Sequence, residues 1–327
     1  MQTTYRQRSG LGTAVLSAAA FGTSGSFATA LIGSGWSPAA AVTARLLIAA
    51  TVLTLPALML LRGRFAMLVR QASAITGFGV IAIAAAQLCY FNAVARLSVG
   101  VALLLKYLGI LLVVGWLWLR HGHRPRRLTV TGAVAAIIGL GLVLDVTGSH
   151  HLDPIGVLWG LGAAVGLAVY FVVSAKAEDT LPSIPMAWAG MAVGCISLLA
   201  AGLAGVVPLR FSSQDVVFLH HHTSWLVPML GIALIAAVFA YTAGISAARS
   251  LGAKFASFVG LSEVLFAVLF AWLLLGQLPG PLQILGGAFI VAGVALVHLD
   301  ELSADRAPSA GSEPEEIAQS RIGAAAR

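Results

Sequence analysis

Long apolar runs alternate along the chain with short segments that carry nearly all of its charged residues. Ten of these runs reach the length of about 20 residues that an α-helix needs to cross the hydrocarbon core of a bilayer. The pattern therefore predicts an all-α membrane protein with ten transmembrane helices. The predicted spans are Leu11–Ile32, Ala39–Leu61, Ala72–Ala95, Val99–Leu119, Leu128–Thr147, Pro154–Ser174, Met186–Leu209, Leu226–Ala248, Phe255–Leu275 and Pro281–His298.

The composition excludes several other protein classes. Apolar residues make up 59% of the 327 residues, Asp, Glu, Lys and Arg only 9%, and mean hydropathy is +0.95. A soluble fold could not hide so much apolar surface beneath so few polar residues, and a soluble enzyme, a disordered chain and a fibrous protein are excluded. The bases are scattered between apolar runs, so nucleic-acid binding is not expected. Cys89 and Cys195 lie within spans and imply no disulfide framework.

The distribution of Lys and Arg predicts the orientation. With the N-terminus inside, twelve of these residues before the tail fall on the cytoplasmic side, and only Arg96 and Arg210 fall outside. We therefore expect a multi-pass plasma (inner) membrane protein with both termini in the cytoplasm. Ala28-Thr29-Ala30 resembles a signal-peptide cleavage site, but the first run is too long and nine more spans follow, so we expect no cleavage. Residues 1–10 form a cytoplasmic N-terminus, and the acidic segment 300–327 is predicted to be a disordered tail.

The chain also contains an internal repeat. A shift of 154 residues, without gaps, aligns the fourth and fifth spans with the ninth and tenth. The rarer matches are Trp118/Trp272 and Pro125/Pro279, and the commoner ones include Gly132/Gly286 and Gly139/Gly293. The prediction is a first five-helix repeat over residues 11–147 and a second over 154–299. Because five is odd, the two repeats must cross the membrane in opposite directions, an arrangement typical of secondary transporters.

Several local patterns resemble the drug/metabolite transporter superfamily, in particular its ten-span group with two EamA-type repeats. These patterns are Arg45-Leu46, Ala93–Leu97, Leu104–Gly109, Trp116–Leu119, Leu261–Glu263 and Ala271–Gly276. The fourth span is most similar to that of homoserine/threonine-exporter-like members. The resemblance implies a secondary transporter that exports small polar metabolites such as amino acids by alternating access, with proton or exchange coupling.

The chain departs from the family pattern at the two spans that the resemblance makes gating helices. Glu263 is followed by Val264 where the family often has Pro, and Ile110 also stands where Pro is frequent. Lys106 and Gln277 replace acids. We expect the fourth and ninth helices to lack proline kinks, and the sign of the substrate charge stays open.

Three ionisable residues stand inside predicted spans, where each costs about 2.5–3.5 kcal/mol. Glu263 could carry a coupling proton or bind an amine, or be a hydrogen-bonded packing residue. The repeat aligns Glu263 with Gly109, one turn from Lys106, so we expect Lys106 and Glu263 to pair in the cavity. A static bridge and an outward-reaching Lys106 are the alternatives. Arg45 is expected to snorkel to the outer headgroups, or else to bind a substrate carboxylate.

Other polar and aromatic residues are candidate cavity residues for a small amphiphile. They are Gln87, Tyr90, Asn92, Tyr107, Tyr170 and Tyr241. Each could equally serve helix packing or a hydrogen bond between helices.

Motifs for other chemistry are missing from the sequence. It contains no phosphate-binding glycine loop and no zinc-hydrolase signature, so we expect no enzyme, no cofactor and no metal. Residues 220–222 are consecutive histidines, which cannot all reach one ion.

The expected partners are the bilayer, a small-molecule substrate such as an amino acid or an amine, and a proton; a homodimer stays open. The rival readings are a membrane-embedded enzyme acting on a lipid-linked substrate, and a scaffold or sensor that works through its tail.

Overall fold

The computed structural model describes residues 2–63, 65–109, 112, 127–143, 153–176, 181–218, 221–251 and 259–306. These residues form helices and turns, apart from one two-stranded ribbon. The elements of the first half are α1 (Gln2–Gly33), α2 (Pro38–Leu60), α3 (Ala66–Arg70), α4 (Ala72–Gly77), the π-helix π1 (Phe78–Ala85), α5 (Ala86–Val94), α6 (Val99–Tyr107) and α7 (Arg127–Val143). Those of the second half are α8 (Pro154–Lys176), α9 (Ser183–Leu203), β1 (Val216–Phe218), β2 (His221–Thr223), α10 (Leu226–Leu230), the π-helix π2 (Gly231–Phe239), α11 (Ala240–Leu251), α12 (Ser262–Leu275) and α13 (Pro281–Arg306).

Five continuous helical segments of the described chain are long and apolar enough to cross a membrane. They are Gly10–Gly33, Pro38–Leu60, Ala72–Val94, Ser183–Leu203 and Leu226–Ala248. Shorter apolar helices lie within four further predicted spans, at Val130–Gly139, Pro154–Tyr170, Ser262–Leu275 and Ile284–Gly293. In the fourth predicted span, α6 covers the first nine residues, and much of the remainder lies outside the described residues. The all-helical prediction is confirmed, and the count of ten spans stays a prediction.

Two predicted boundaries are wrong. The seventh span was expected to reach Leu209, but α9 ends at Leu203 because Gly205 adopts a left-handed conformation, with φ of 74°. The N–H groups of Gly205 and Val206 donate to the carbonyls of Gly202 and Ala201 at 3.0 and 2.9 Å, which closes the helix end. At the other end of the chain, α13 continues to Arg306, so residues 300–306 of the predicted disordered tail are helical.

The fourth and ninth helices are interrupted although neither carries the proline that is frequent in the family at Ile110 and Val264. A turn at Leu108 follows α6, and a turn at Leu261 precedes α12. The N–H of Leu108 donates to the carbonyl of Leu105 at 3.2 Å, and that of Val264 to Leu261 at 3.1 Å, both in the tighter 3₁₀ pattern. The predicted absence of proline did not make these helices continuous, because local hydrogen bonding interrupts them without proline.

Elements of the two halves correspond in position. The segments π1 and π2 come into register, to within one residue, under the shift of 154 residues. Helices α7 and α13 also pack through matched glycines: a methyl group on Gly139 would lie 2.5 Å from the carbonyl oxygen of Gly286, and one on Gly293 would meet the carbonyl oxygen of Gly132. The contacts are reciprocal between residues that the shift equates. Their order shows that α7 and α13 run antiparallel where they touch.

Three contacts join segments that the sequence predicts on the outer side. The N–H of Arg210 donates to Ser37 Oγ at 3.0 Å, Arg96 Nη1 lies 2.8 Å from Asp153 Oδ2, and the N–H of Val99 donates to Gln277 Oε1 at 3.3 Å. The hydrogen bond from Arg96 lowers the pKa of the Asp153 carboxyl below its usual value, together with backbone N–H donors. These helix ends therefore lie together at one end of the molecule.

Aromatic rings and the ribbon cover this same end. The ring of Trp36 lies 5.4 Å from those of Phe211 and Trp225, and Phe27 lies 5.4 Å from Phe218 of β1 (centroid distances). Strands β1 and β2 pair antiparallel within the segment between α9 and α10. Packed aromatic groups thus cover part of the bundle at its predicted outer end.

Candidate functional site

A cavity of about 90 Å³ opens among the helices around the interrupted ends of α6 and α12. At roughly 10–15 Å³ per water, it has room for several waters or one small organic molecule. Its polar and aromatic lining residues are Ser17, Phe21, Gln87, Lys106, Tyr107, Tyr170, Tyr241 and Glu263. On the predicted topology it lies in the middle and the cytoplasmic half of the bundle.

An ion pair joins the interrupted ends of α6 and α12. Lys106 Nζ lies 3.1 Å from Glu263 Oε1, and the two residues are 9% and 6% exposed. Lys106 is in the last turn of α6 and Glu263 in the first turn of α12, so each charge also meets the favourable end of its own helix dipole. The predicted pair is present, and Lys106 does not extend outward.

Tyr107 completes the environment of the carboxylate. Its hydroxyl oxygen lies 2.9 Å from Glu263 Oε2 and 2.7 Å from the carbonyl oxygen of Gly260. A phenol has one proton to donate, so an ionised Glu263 and Gly260 compete for it. A proton on Oε2 would let the carboxyl donate to the phenol, which then donates to Gly260. The arrangement can therefore hold Glu263 in either protonation state.

Arg45 is fully buried between helices, with 0% exposure. Its Nη1 lies 3.2 Å from Ser24 Oγ and 3.1 Å from Gln87 Oε1, and its Nη2 donates to the carbonyl oxygen of Ala236 in π2 at 2.7 Å. The expectation that Arg45 snorkels to the headgroups is wrong, because three neutral oxygens from three other helical segments hold the guanidinium inside the bundle.

Gln87 connects Arg45 to the cavity. Its Oε1 accepts from Arg45, and its Nε2 donates to the Tyr241 hydroxyl at 3.0 Å. The 154-residue shift equates Gln87 with Tyr241, so equivalent positions of the two halves touch each other in the cavity wall. Both side chains line the cavity.

Comparison with known proteins identifies the family. The EamA-like transporter family matches residues 8–145 and 154–299, as two consecutive segments. The chain belongs to this family. It is thus a membrane transporter of the drug/metabolite transporter superfamily, as the sequence patterns suggested.

Two relatives illustrate the similarity. An uncharacterised inner membrane transporter of Salmonella typhimurium, YicL, is 23% identical over 235 residues, which is 70% of this chain and 74% of the relative. A protein of known crystal structure has the same fold, with a TM-score of 0.59 at 20% identity, over 92% of this chain and 99% of the other.

The EamA fold brings together most, but not all, of the residues that the sequence proposed. Tyr170 lines the cavity with Tyr241, 6.2 Å away between ring centroids. Tyr90 stands behind the lining, and its ring centroid is 5.3 Å from Lys106 Nζ. Asn92 is outside the lining, and its Nδ2 donates to the carbonyl of Leu88 on its own helix at 2.8 Å. Asn92 therefore has a local structural contact and no contact with the cavity.

Sequence reasoning missed the contribution of the backbone. The carbonyls of Gly260 and Ala236 accept hydrogen bonds from Tyr107 and Arg45, and no side-chain pattern identifies a carbonyl acceptor. The one available signal for Gly260 was the repeat, which equates it with Lys106.

Within the described ranges, no group of three or more His, Cys, Asp or Glu side chains is placed to hold a metal ion. Of the three consecutive histidines, His221 and His222 belong to β2, and His220 is outside the described residues. The Cys89 and Cys195 side chains are free thiols.

Proposed function

We propose that this EamA-family protein is a secondary active transporter that exports small polar metabolites, such as amino acids, by alternating access of two inverted repeats. The observation that carries the proposal is the buried Lys106–Glu263 pair in the cavity wall, at interruptions of two repeat-related helices. Secondary transporters commonly place their substrate and ion sites near mid-membrane, where helices are discontinuous.

Contacts between equivalent positions support the alternating-access part of the proposal. The glycine contacts of α7 with α13 and the bond from Gln87 to Tyr241 are what a pseudo-two-fold axis in the membrane plane would produce. The cavity lined by the buried pair lies in the middle and inner half, and aromatic groups cover part of the predicted outer end, which supports an inward-facing state for this cavity. Exchange of the two halves' conformations would open the outer end and close the inner one.

Glu263 is the proposed coupling group, whether the coupled event is proton movement or exchange. Lys106 and Tyr107 both donate to the Glu263 carboxylate; a protonated Glu263 would instead donate to the Tyr107 hydroxyl. Protonation would release Lys106 from its partner and make its ammonium available to a substrate. Charge in the cavity and occupancy by substrate would in this way depend on each other.

The proposed location is the plasma (inner) membrane, with both termini in the cytoplasm. The name of the Salmonella relative supports this membrane. The excess of Lys and Arg in the segments predicted inside supports the orientation.

Counterflow with purified protein in liposomes tests the proposal. Liposomes preloaded with one unlabelled amino acid, polyamine or drug at a time are mixed with a trace of the same labelled compound, with and without a pH gradient. We expect labelled compound to accumulate for at least one small polar metabolite, and protein-free liposomes to accumulate none. Failure of every compound, with a normal melting curve, would contradict the transporter proposal.

A further inference from the structure

The formal charges of the buried groups around the cavity do not sum to zero. In the part of the chain that the structure describes, Arg45, Lys106 and Glu263 are the buried charged residues. The described residues form two ion pairs, Lys106–Glu263 and the exposed Arg96–Asp153. Arg45 has no carboxylate partner in that part of the chain, since its hydrogen bonds go to neutral oxygens. With all three groups ionised, the site holds one net positive charge.

This excess is retained at a place where charge is costly. An Arg in a transmembrane helix costs up to about 2.5–3.5 kcal/mol on insertion scales, the value at the helix centre, and Arg stays protonated even when buried. Neutral hydrogen-bond partners offset part of this cost, yet one donor, Arg45 Nε, is buried without a partner among the described residues. A neutral side chain could also form hydrogen bonds between these helices. The positive charge of Arg45, which has no counter-ion among the described residues, therefore indicates a role in function.

Gln87 transmits the effect of Arg45 to the cavity surface. Because Arg45 donates to Oε1, the amide of Gln87 must present Nε2 to the Tyr241 oxygen. Tyr241 accepts that bond, so its own proton remains available, with no other acceptor among the described residues. The wall near Arg45 therefore offers a phenolic donor in a positive potential, and Lys106 also lines the cavity.

We propose that the transported species is a small organic molecule of net charge −1, recognised through an ionised carboxylate by the Tyr241 hydroxyl in the positive potential of Arg45. This inference rests on the transporter function proposed above. One negative charge balances Arg45 when Lys106 and Glu263 are paired. A phosphate monoester carries about −1.5 to −2 at pH 7 and would overshoot this balance. A cationic amine would add to the excess.

Isosteric substrates of different charge provide the test in liposomes. Glutamate and glutamine have nearly the same shape and differ by one negative charge, and putrescine represents the cations. We expect counterflow of glutamate to exceed that of glutamine by about tenfold or more, because the α-carboxylate of glutamine is neutralised by its own ammonium and leaves no net charge to balance Arg45. Equal or faster counterflow of glutamine or putrescine would overturn the charge assignment and leave the transporter function intact. Lack of counterflow by all three compounds and by the wider panel would overturn both proposals.

One variant tests Arg45 as the source of the preference. Gln87→Glu places a carboxylate in the position now 3.1 Å from Arg45 Nη1 and supplies the missing counter-ion inside the protein. We expect the glutamate-to-glutamine ratio to fall by about tenfold or more, while the melting temperature is kept or raised because the buried cation gains a partner. Gln214→Glu makes the same chemical change in an exposed outer segment and should keep the wild-type ratio. An unchanged ratio in well-folded Gln87→Glu protein would overturn the proposal.

Discussion

Charged residues in a bilayer interior were the part of the site most accessible from sequence. Because such residues are rare and costly, Lys106 and Glu263 stood out, and the repeat placed them on facing helices. The partners of Arg45 could not be found this way, since Ser24, Gln87 and the Ala236 carbonyl come from separate helical segments. Only packing brings them together, and headgroup snorkelling was the wrong expectation for that reason.

Tyr107→Phe is the informative change at the residue scale. It removes the donor to the Gly260 carbonyl and to Glu263 Oε2 and leaves buried acceptors without a partner. We expect a loss of about 1–3 kcal/mol of stability, measured as a lowered melting temperature in detergent.

Tyr90→Phe is the matched control for this change. Tyr90 is also only 2% exposed, and its ring contacts Lys106 without a hydrogen bond from its hydroxyl to the described residues. The melting temperature of the Tyr90→Phe protein should stay close to that of wild type. Equal melting temperatures for the two variants would contradict the role assigned to the Tyr107 hydroxyl.

At the scale of elements, apolar runs and their spacing predicted where helices lie, and the structure places helix in each predicted span. The π-helical segments and the turns at Leu108 and Leu261 were beyond prediction, because apolar residues of similar composition fill α, 3₁₀ and π geometry alike. The end of α9 was misplaced although Gly205 was available as a signal.

The packing of α7 on α13 gives a prediction at this scale. Gly139→Ala would bring its methyl group to 2.5 Å from the Gly286 carbonyl oxygen, so the helices must separate. Overpacking of this kind typically costs about 1–3 kcal/mol, and we expect a lower melting temperature.

Gly77→Ala serves as the control, because a methyl group there meets no atom within 4 Å. Alanine also favours helix over glycine by roughly 1 kcal/mol, so this variant should melt at or above the wild-type temperature. If Gly139→Ala melted like Gly77→Ala, the close α7–α13 contact would be contradicted.

For the whole molecule, the inward-facing state and the predicted orientation can be tested with thiol labelling. Ala248 lines the inner part of the cavity, and Ser213 is exposed between α9 and α10. Ala248→Cys and Ser213→Cys are each made in a protein from which the native Cys89 and Cys195 have been removed. In right-side-out vesicles, a membrane-impermeant maleimide should label Ser213→Cys and spare Ala248→Cys, and inside-out vesicles should give the reverse. Labelling of both from one side would contradict the assigned topology.

The most direct test of the account is transport by variants of the buried pair, since the account makes Lys106 and Glu263 part of the transport cavity. Lys106→Ala and Glu263→Gln are reconstituted beside Arg96→Gln and Asp153→Asn, which remove the same charges from the exposed pair. Lys106→Met/Glu263→Gln replaces both buried charges together, avoids an unpaired buried ion and should fold. We predict that uptake of the best counterflow substrate falls by about tenfold or more in all three variants of the buried pair, because ionisable residues within a membrane commonly line the transport path. In the two control variants, uptake should stay at the wild-type rate. Wild-type uptake by both Lys106→Ala and Glu263→Gln would place the transport site elsewhere.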